Sequence, residues 1–287
     1  MRNDELRSVE RLTRRLGSGP PGEVWTGDDA AVLASPSATL LFAIDAMVDG
    51  VHADLGITTV ADMGWKALVR NVSDIAAMGG RPLHAVVSVV VPPDGDDLLD
   101  PLYDGLGEAA SAYGCPVVGG DLASGSQLVV TVAITGTVDG EPVLRSGARP
   151  GDAVFVTGPL GGAAADLHAG IAGRTARPLA RVDEGIAARG AGATAMIDLS
   201  DGLALDLRRL AAASGVGAVV EAVPVADGAT VPDAMTGGDD YELLFTAPDV
   251  AQVLDAFAGL RTPAVIGRIT DGDEVLGLPE GGWRHEW

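Results

Sequence analysis

Three apolar runs in this sequence stop at an aspartate: Leu40-Leu41-Phe42-Ala43-Ile44-Asp45, Val117-Val118-Gly119-Gly120-Asp121 and Ala195-Met196-Ile197-Asp198. Short apolar runs read as buried strands, and a carboxylate at the carboxyl end of such a strand lies where open α/β sheets bind ligands. Each Asp could equally cap a turn or the next helix. A fourth carboxylate, Asp74, shares a face with Asn71 on a helix predicted from Thr59 to Met78, which ends in Gly79-Gly80 ahead of Arg81-Pro82. Two more sites stand at segment starts. Asp28-Asp29 precedes the apolar stretch Ala30 to Leu33 and reads as ligand pair or Asx turn. Asp201 follows Ser200, and either would cap a helix running to about Ala213.

If these carboxylates converge they need cations, because two of them about 4 Å apart repel by roughly 4 kcal/mol at an effective dielectric near 20. The chain has only 4 histidines, which disfavours zinc, and oxygen donors favour magnesium or calcium. Magnesium takes one or two carboxylates and completes its shell with water and substrate phosphates. Many aspartates therefore point to several ions around a nucleoside triphosphate.

The elements that must hold these groups belong to a globular chain. Its 287 residues, 47% apolar, suffice for one large α/β domain or two halves of about 140. No apolar run reaches 18 residues, and His84 to Val91 fits a buried strand rather than a membrane span. Leu6, Val9, Leu12 and Leu16 among charges suggest an amphipathic N-terminal helix rather than a signal peptide, so the cytoplasm is expected. The net charge of -21 argues against nucleic acid. Lys66 is the sole lysine and stands in Gly64-Trp65-Lys66-Ala67, so there is no P-loop. Cys115, the single cysteine, can form no intrachain disulfide and reads as a buried small hydrophobe.

Other contacts are less specific. Arg145 and Arg149 in Leu144 to Asp152 suit phosphate or an ordinary surface loop. Thr157-Gly158-Pro159-Leu160-Gly161-Gly162 could cradle phosphate with backbone N–H groups, although it lacks GxGxxG spacing. Gly237-Gly238-Asp239-Asp240-Tyr241-Glu242 reads as a polar loop entering a strand, and Trp283 and Trp287 as stacking surfaces or a docked tail.

In order along the chain, Gly27-Asp28-Asp29-Ala30-Ala31, Asp45 to His52, Asn71-Val72-Ser73-Asp74 to Gly79, Gly119-Gly120-Asp121, Arg145-Ser146-Gly147-Ala148, Asp198-Leu199-Ser200-Asp201-Gly202 and Gly238-Asp239-Asp240-Tyr241-Glu242-Leu243 resemble the motif series of the thiamine-monophosphate kinase family. The resemblance implies the α/β (α+β) fold of the aminoimidazole-ribonucleotide-synthetase superfamily. Its N-terminal half, residues 1–140, would give strands to a dimer-spanning barrel, and its C-terminal half, 141–287, would close the site. It also implies a homodimer and in-line phosphoryl transfer from ATP to thiamine monophosphate. Asp29, Asp45, Asp74, Asp121, Asp198 and Asp201 match the family's magnesium ligands, with Ile44 offering a backbone oxygen where the family commonly has threonine. Tyr103, Gly120, Asp121, Arg145 and Ser200 would meet ATP; His52, Asp239 and Trp283 would meet the thiamine phosphate. No general base is implied, since several cations leave the acceptor oxygen ionised near neutral pH. The alternatives are another ATP-dependent enzyme of the superfamily, or a non-catalytic nucleotide-binding protein.

Overall fold

The computed structural model describes residues 22, 31–34, 39–93 and 95–284. The expected N-terminal helix, Asp28, Asp29 and Trp287 lie outside the described residues. Two sheets carry the chain. The first has the order β1-β2-β5-β3-β4, from β1 (Ala31–Ala34), β2 (Thr39–Val48), β3 (Arg81–Val91), β4 (Val117–Ser124) and β5 (Val129–Val138). Its pairs are antiparallel except β3 with β4, which are joined through α2 (Leu99–Tyr113). The second sheet contains β6 (Ala153–Val156), β7 (Ala195–Asp198), β8 (Gly217–Val220), β9 (Leu243–Ala247), β10 (Ala264–Thr270) and β11 (Val275–Leu276), in the order β11-β8-β10-β6-β9-β7. It too is mostly antiparallel.

This corrects, for two of the three, the picture of aspartates at the carboxyl ends of buried strands. Asp45 lies inside β2 and Asp121 inside β4, because the apolar pattern resumes after each; Asp198 alone ends its strand. Strand alternation then decides where they face. Leu41, Ala43 and Met47 turn inward to the core, and Asp45 shares their face; Phe42 and Ile44 face out, 39% and 62% exposed.

The inner face of the first sheet is covered by α1 (Val60–Ala77), whose Leu68, Val72 and Ile75 are fully buried with Val87, Val132 and Ile134. Thr59 and Asp62 close a reciprocal capping box at its start. Against α1 lies α2, at so close an approach that a methyl group on Gly64 would overlap the Leu102 carbonyl and one on Gly105 the Ala61 carbonyl. The other side of α1 meets the C-terminal half, touching α5 (Val182–Gly190) and β7. One helix is thus the shared wall of both halves.

The second sheet is flanked by α6 (Leu203–Ser214) on one face. On the other, Phe155, Phe245 and Phe257 stack with centroids 4.9 and 5.9 Å apart. Short helices α3 (Gly162–His168), α4 (Gly173–Ala176), α7 (Val231–Thr236) and α8 (Val250–Ala256) complete the half. Neither Ser200 nor Asp201 caps α6: its N-cap is Gly202, and Asp206 instead reaches back to accept the Asp201 N–H at 3.0 Å.

The loop entering β9 is anchored residue by residue. The Asp239 and Tyr241 N–H groups donate to the Ser200 and Leu199 carbonyls, and both residues have left-handed φ values, 66° and 49°. Such a conformation costs a Tyr about 1–3 kcal/mol and is offset here by complete burial of the ring. Glu242 is buried and accepts from Thr157, Arg181 and Arg261 at 2.6 to 3.0 Å. Asp240 accepts the Gly161 N–H at 2.7 Å, so a carboxylate of the chain already fills the glycine-rich turn read as a phosphate cradle.

Two measurements check this packing. Gly105→Val, which drives a branched side chain into the Ala61 carbonyl, should destabilise by about 3 kcal/mol or more in chemical denaturation. Burial pushes the Asp240 carboxyl up to about 6, against the opposing N–H groups of Gly161, Ala163 and Gly162. Its folded value exceeds the ordinary 3.8, so between about pH 4 and 6 the native chain holds a proton that the unfolded chain has lost, and stability falls as pH rises. Asp240→Asn should lack that slope, gaining on wild type by roughly 2–3 kcal/mol across the window at 1.36 kcal/mol per unit.

Candidate active site

Between the halves lies a cavity of about 260 Å³. The N-terminal half supplies the loop after β2, with His52, and the face of α1 that carries Lys66 and Arg70. The C-terminal half supplies Ser200 and Asp201 from the turn after β7, Asp239 and Tyr241 from the anchored loop, and Trp283 from the tail. His52 and Trp283 face each other with ring centroids 5.5 Å apart at 52°. The His52 Nδ1 accepts the Val48 N–H at 3.2 Å, which in the neutral ring leaves the proton on Nε2. The Trp283 backbone N–H donates to the Asp201 carbonyl at 2.9 Å and fixes the tail over the cavity.

The floor is electrostatic. Lys66 is 4% exposed, and its Nζ donates to Asp239 Oδ2 at 2.7 Å and to the His52 carbonyl at 3.1 Å. Burial pulls this ammonium below its ordinary pKa, and the neighbouring Asp239 carboxylate opposes the fall. One turn further on, Arg70 Nη2 stands 3.2 Å from Asp45 Oδ2. Burial works against its charge, but Tyr241, Asp45, Asp239 and Asp74 together hold the guanidinium above its ordinary pKa. Burial raises the Tyr241 phenol, whose neighbours include Arg70, Asp239, Asp45 and Asp198. Asp198, itself buried, accepts from Ser73 of α1 at 2.7 Å. Asp45, Asp74, Asp198 and Asp239, drawn from four distant stretches of sequence, therefore share one neighbourhood around Arg70 and Tyr241.

Other residues fall elsewhere. Asp201 lines the cavity, but its carboxylate is paired with Arg209, which also holds Asp206 at 2.8 Å; burial and the Asp201 charge push Asp206 up to about 7. Asp121 pairs with Ser88 in a row that continues through Thr131 to Ala46, so it lies on the opposite sheet face from Asp45. Gly120 is in Asp45's row but three strands away, about 14 Å at 4.8 Å per strand. The side chain of Ile44 points away from the cavity. Tyr103 is 40% exposed on α2, and Arg145, whose carbonyl accepts from Ser214 at 2.9 Å, stands in the connection between the halves. Of these only Asp201 lines the cavity; Asp121, Gly120, Ile44, Tyr103 and Arg145 do not. Asp29 lies outside the described residues.

Among the described residues no three His, Cys, Asp or Glu side chains come close enough to hold one metal ion. The donor set nevertheless suits magnesium: hard carboxylate oxygens in ones and twos, with the rest of the shell left to water and phosphate. Sequence reasoning missed Arg70 and Tyr241 and used Lys66 only to dismiss a P-loop. A signal was present, because residues 62, 66, 70 and 74 place four charges at a spacing of four along the helix.

Known proteins resemble this chain over nearly its whole length. Residues 27–138 match the AIR synthase related protein N-terminal domain and residues 149–277 its C-terminal domain. The thiamine-monophosphate kinase of Methanopyrus kandleri is 38% identical, spanning 95% of this chain and 91% of that one. The Mycobacterium tuberculosis enzyme of the same name is 36% identical over 93% and 85%. A solved structure described as AaThiL complexed with AMPPCP and TMP is 31% identical and superposes with a TM-score of 0.89 over 98% of this chain and 97% of that one. A hydrogenase maturation protein HypE, 19% identical at a TM-score of 0.72, shares the fold alone. With that identity across both halves, the chain belongs to the thiamine-monophosphate kinase family.

Proposed function

We propose that this chain transfers the γ-phosphoryl group of ATP to thiamine monophosphate, giving ADP and thiamine diphosphate by direct in-line displacement. The observation that carries the reading is the relation to the structure holding AMPPCP, an ATP analogue, and TMP, which is collinear with this chain from end to end. The cavity between the halves supports it: His52 and Trp283 offer a facing pair of rings for an aromatic acceptor, and Asp239 a carboxylate for its cationic ring. Phosphoryl transfer needs alignment and charge neutralisation more than covalent help. The Trp283 backbone N–H ties the tail to the Asp201 carbonyl, and the left-handed loop fixes Asp239 through its backbone.

Magnesium, bound by Asp45, Asp74 and Asp198 with Asp29, Asp121 and Asp201 as further ligands, would neutralise the phosphates and align the attack. The Ile44 carbonyl is a candidate for the same set. Tyr103, Gly120, Asp121, Arg145 and Ser200 are our candidates for ATP. The reading treats 1–140 and 141–287 as the two domains and the protein as a cytoplasmic homodimer. An exposed apolar face supports the dimer: Phe42, Ile44 and Val86 share the outer face of the first sheet and are each 39% exposed or more. Among the described residues no helix is long and apolar enough to cross a membrane.

Chromatography of a mixture with ATP, magnesium and thiamine monophosphate should show thiamine diphosphate from wild type. Asp45→Asn should lower kcat on the order of a hundredfold and, by removing a partner charge of Arg70, should also lower the thermal midpoint, so turnover is compared at a temperature where circular dichroism shows both proteins folded. No diphosphate from wild type would end the reading. For the dimer, Val86→Glu places a charge on the exposed face, and light scattering should find the mass of one chain where wild type gives two.

A further inference from the structure

Lys66 and Arg70 stand where the cavity meets the carboxylates. Both line the cavity, one helical turn apart on α1, and Arg70 is at the same time paired with Asp45 on the far side. Each has donor capacity that the chain leaves unused. An ammonium has three N–H donors, and Lys66 spends two, on Asp239 and the His52 carbonyl. Arg70 Nε is buried without a hydrogen-bond partner. An unmet buried donor costs of order 1–3 kcal/mol, and the donor that an acceptor in the cavity would meet is the third N–H of Lys66, beside the Arg70 guanidinium.

Charge narrows what that acceptor is. The chain carries -21, and the cavity wall includes Asp54, Asp62, Asp201 and Asp239. Those carboxylates welcome a cationic ring and repel a phosphate. Among the described residues, Lys66 and Arg70 are the Lys and Arg side chains that line this cavity, and a dianionic phosphomonoester would settle against them. Side chains four apart on a helix sit about 5–6 Å from one another, a gap that one phosphate group spans.

We infer that Lys66 and Arg70 form the seat of the acceptor's phosphate and so make the site select a phosphomonoester over the unphosphorylated alcohol. The inference rests on the kinase reading above and adds specificity to it. The seat puts the acceptor's phosphate oxygen beside Asp45 and Asp74, at the end of the cavity where the donor phosphates would approach. The bland role for Lys66 is to pin the Asp239 loop, and that role predicts no preference between phosphorylated and unphosphorylated ligands.

Calorimetric titration of the intact protein with thiamine monophosphate and, separately, thiamine, without nucleotide or metal, distinguishes the two. The readout is the ratio of the two affinities in wild type, Lys66→Met, Lys66→Arg and Arg70→Met. We expect Lys66→Met and Arg70→Met each to lower the ratio at least tenfold through lost affinity for the phosphate ester alone, and Lys66→Arg to restore part of it. A wild-type ratio preserved in both neutral variants, whether both affinities fall or neither does, overturns the seat. Should Lys66→Met fail to fold by circular dichroism, Arg70→Met decides on the same ratio. Wild type that phosphorylates thiamine monophosphate yet binds it no better than thiamine sinks the seat and leaves the kinase reading standing. Wild type that neither binds nor phosphorylates it sinks the kinase reading first.

Discussion

Two buried cations on one helix set the constraint that the rest of this structure answers. Burying a Lys or Arg is prohibitive unless a partner charge and hydrogen bonds come with it. Lys66 finds Asp239, from 173 positions further along the chain, and Arg70 finds Asp45 on the neighbouring strand. The Arg70 pair forms within the N-terminal half, whereas the Lys66 pair exists only once the C-terminal half has docked on α1, so that second pairing ties the arrangement of the halves to the integrity of the cavity. Buried ion pairs add little net stability, but mismatched ones are severely penalised, and that asymmetry favours a single docking geometry.

The loop from Gly237 to Glu242 meets this constraint with four consecutive side chains sent four ways. Asp239 goes to Lys66, Asp240 to the start of α3, Tyr241 into the core beneath Arg70, and Glu242 to Arg181 and Arg261. An ordinary extended strand alternates between only two faces. The left-handed backbone at Asp239 and Tyr241 breaks that alternation, and its strain is located at the wall of the cavity. Rigidity there suits a group that must hold a ligand without moving.

Apolar surface divides into two kinds. Inward residues of the first sheet join α1 and α2 in one core, whereas the outward residues Phe42, Ile44 and Val86 remain at the surface of a single copy. The same alternation that carries Asp45 inward to Arg70 carries Asp121 outward, away from it. A sheet thus sorts carboxylates of like appearance into different environments by parity alone.

The sequence by itself determined the helix from Thr59 to Met78, through its apolar spacing, capping residues and terminal glycines, because those signals are local. Its ordered motifs determined the family, since no single spacing is specific but seven in order are. The resemblance also grouped His52, Asp239 and Trp283 as candidate substrate contacts, and the three line one cavity here. Tertiary structure alone decided that Asp45 and Asp121 lie within strands and on opposite faces, because parity and register depend on which strands pair. It alone decided that the glycine-rich turn is filled by Asp240, and that Lys66 and Arg70 point into the cavity. The Asp240 and Lys66 contacts join residues 79 and 173 positions apart, and nothing in a local pattern says which distant carboxylate will arrive to neutralise a buried charge.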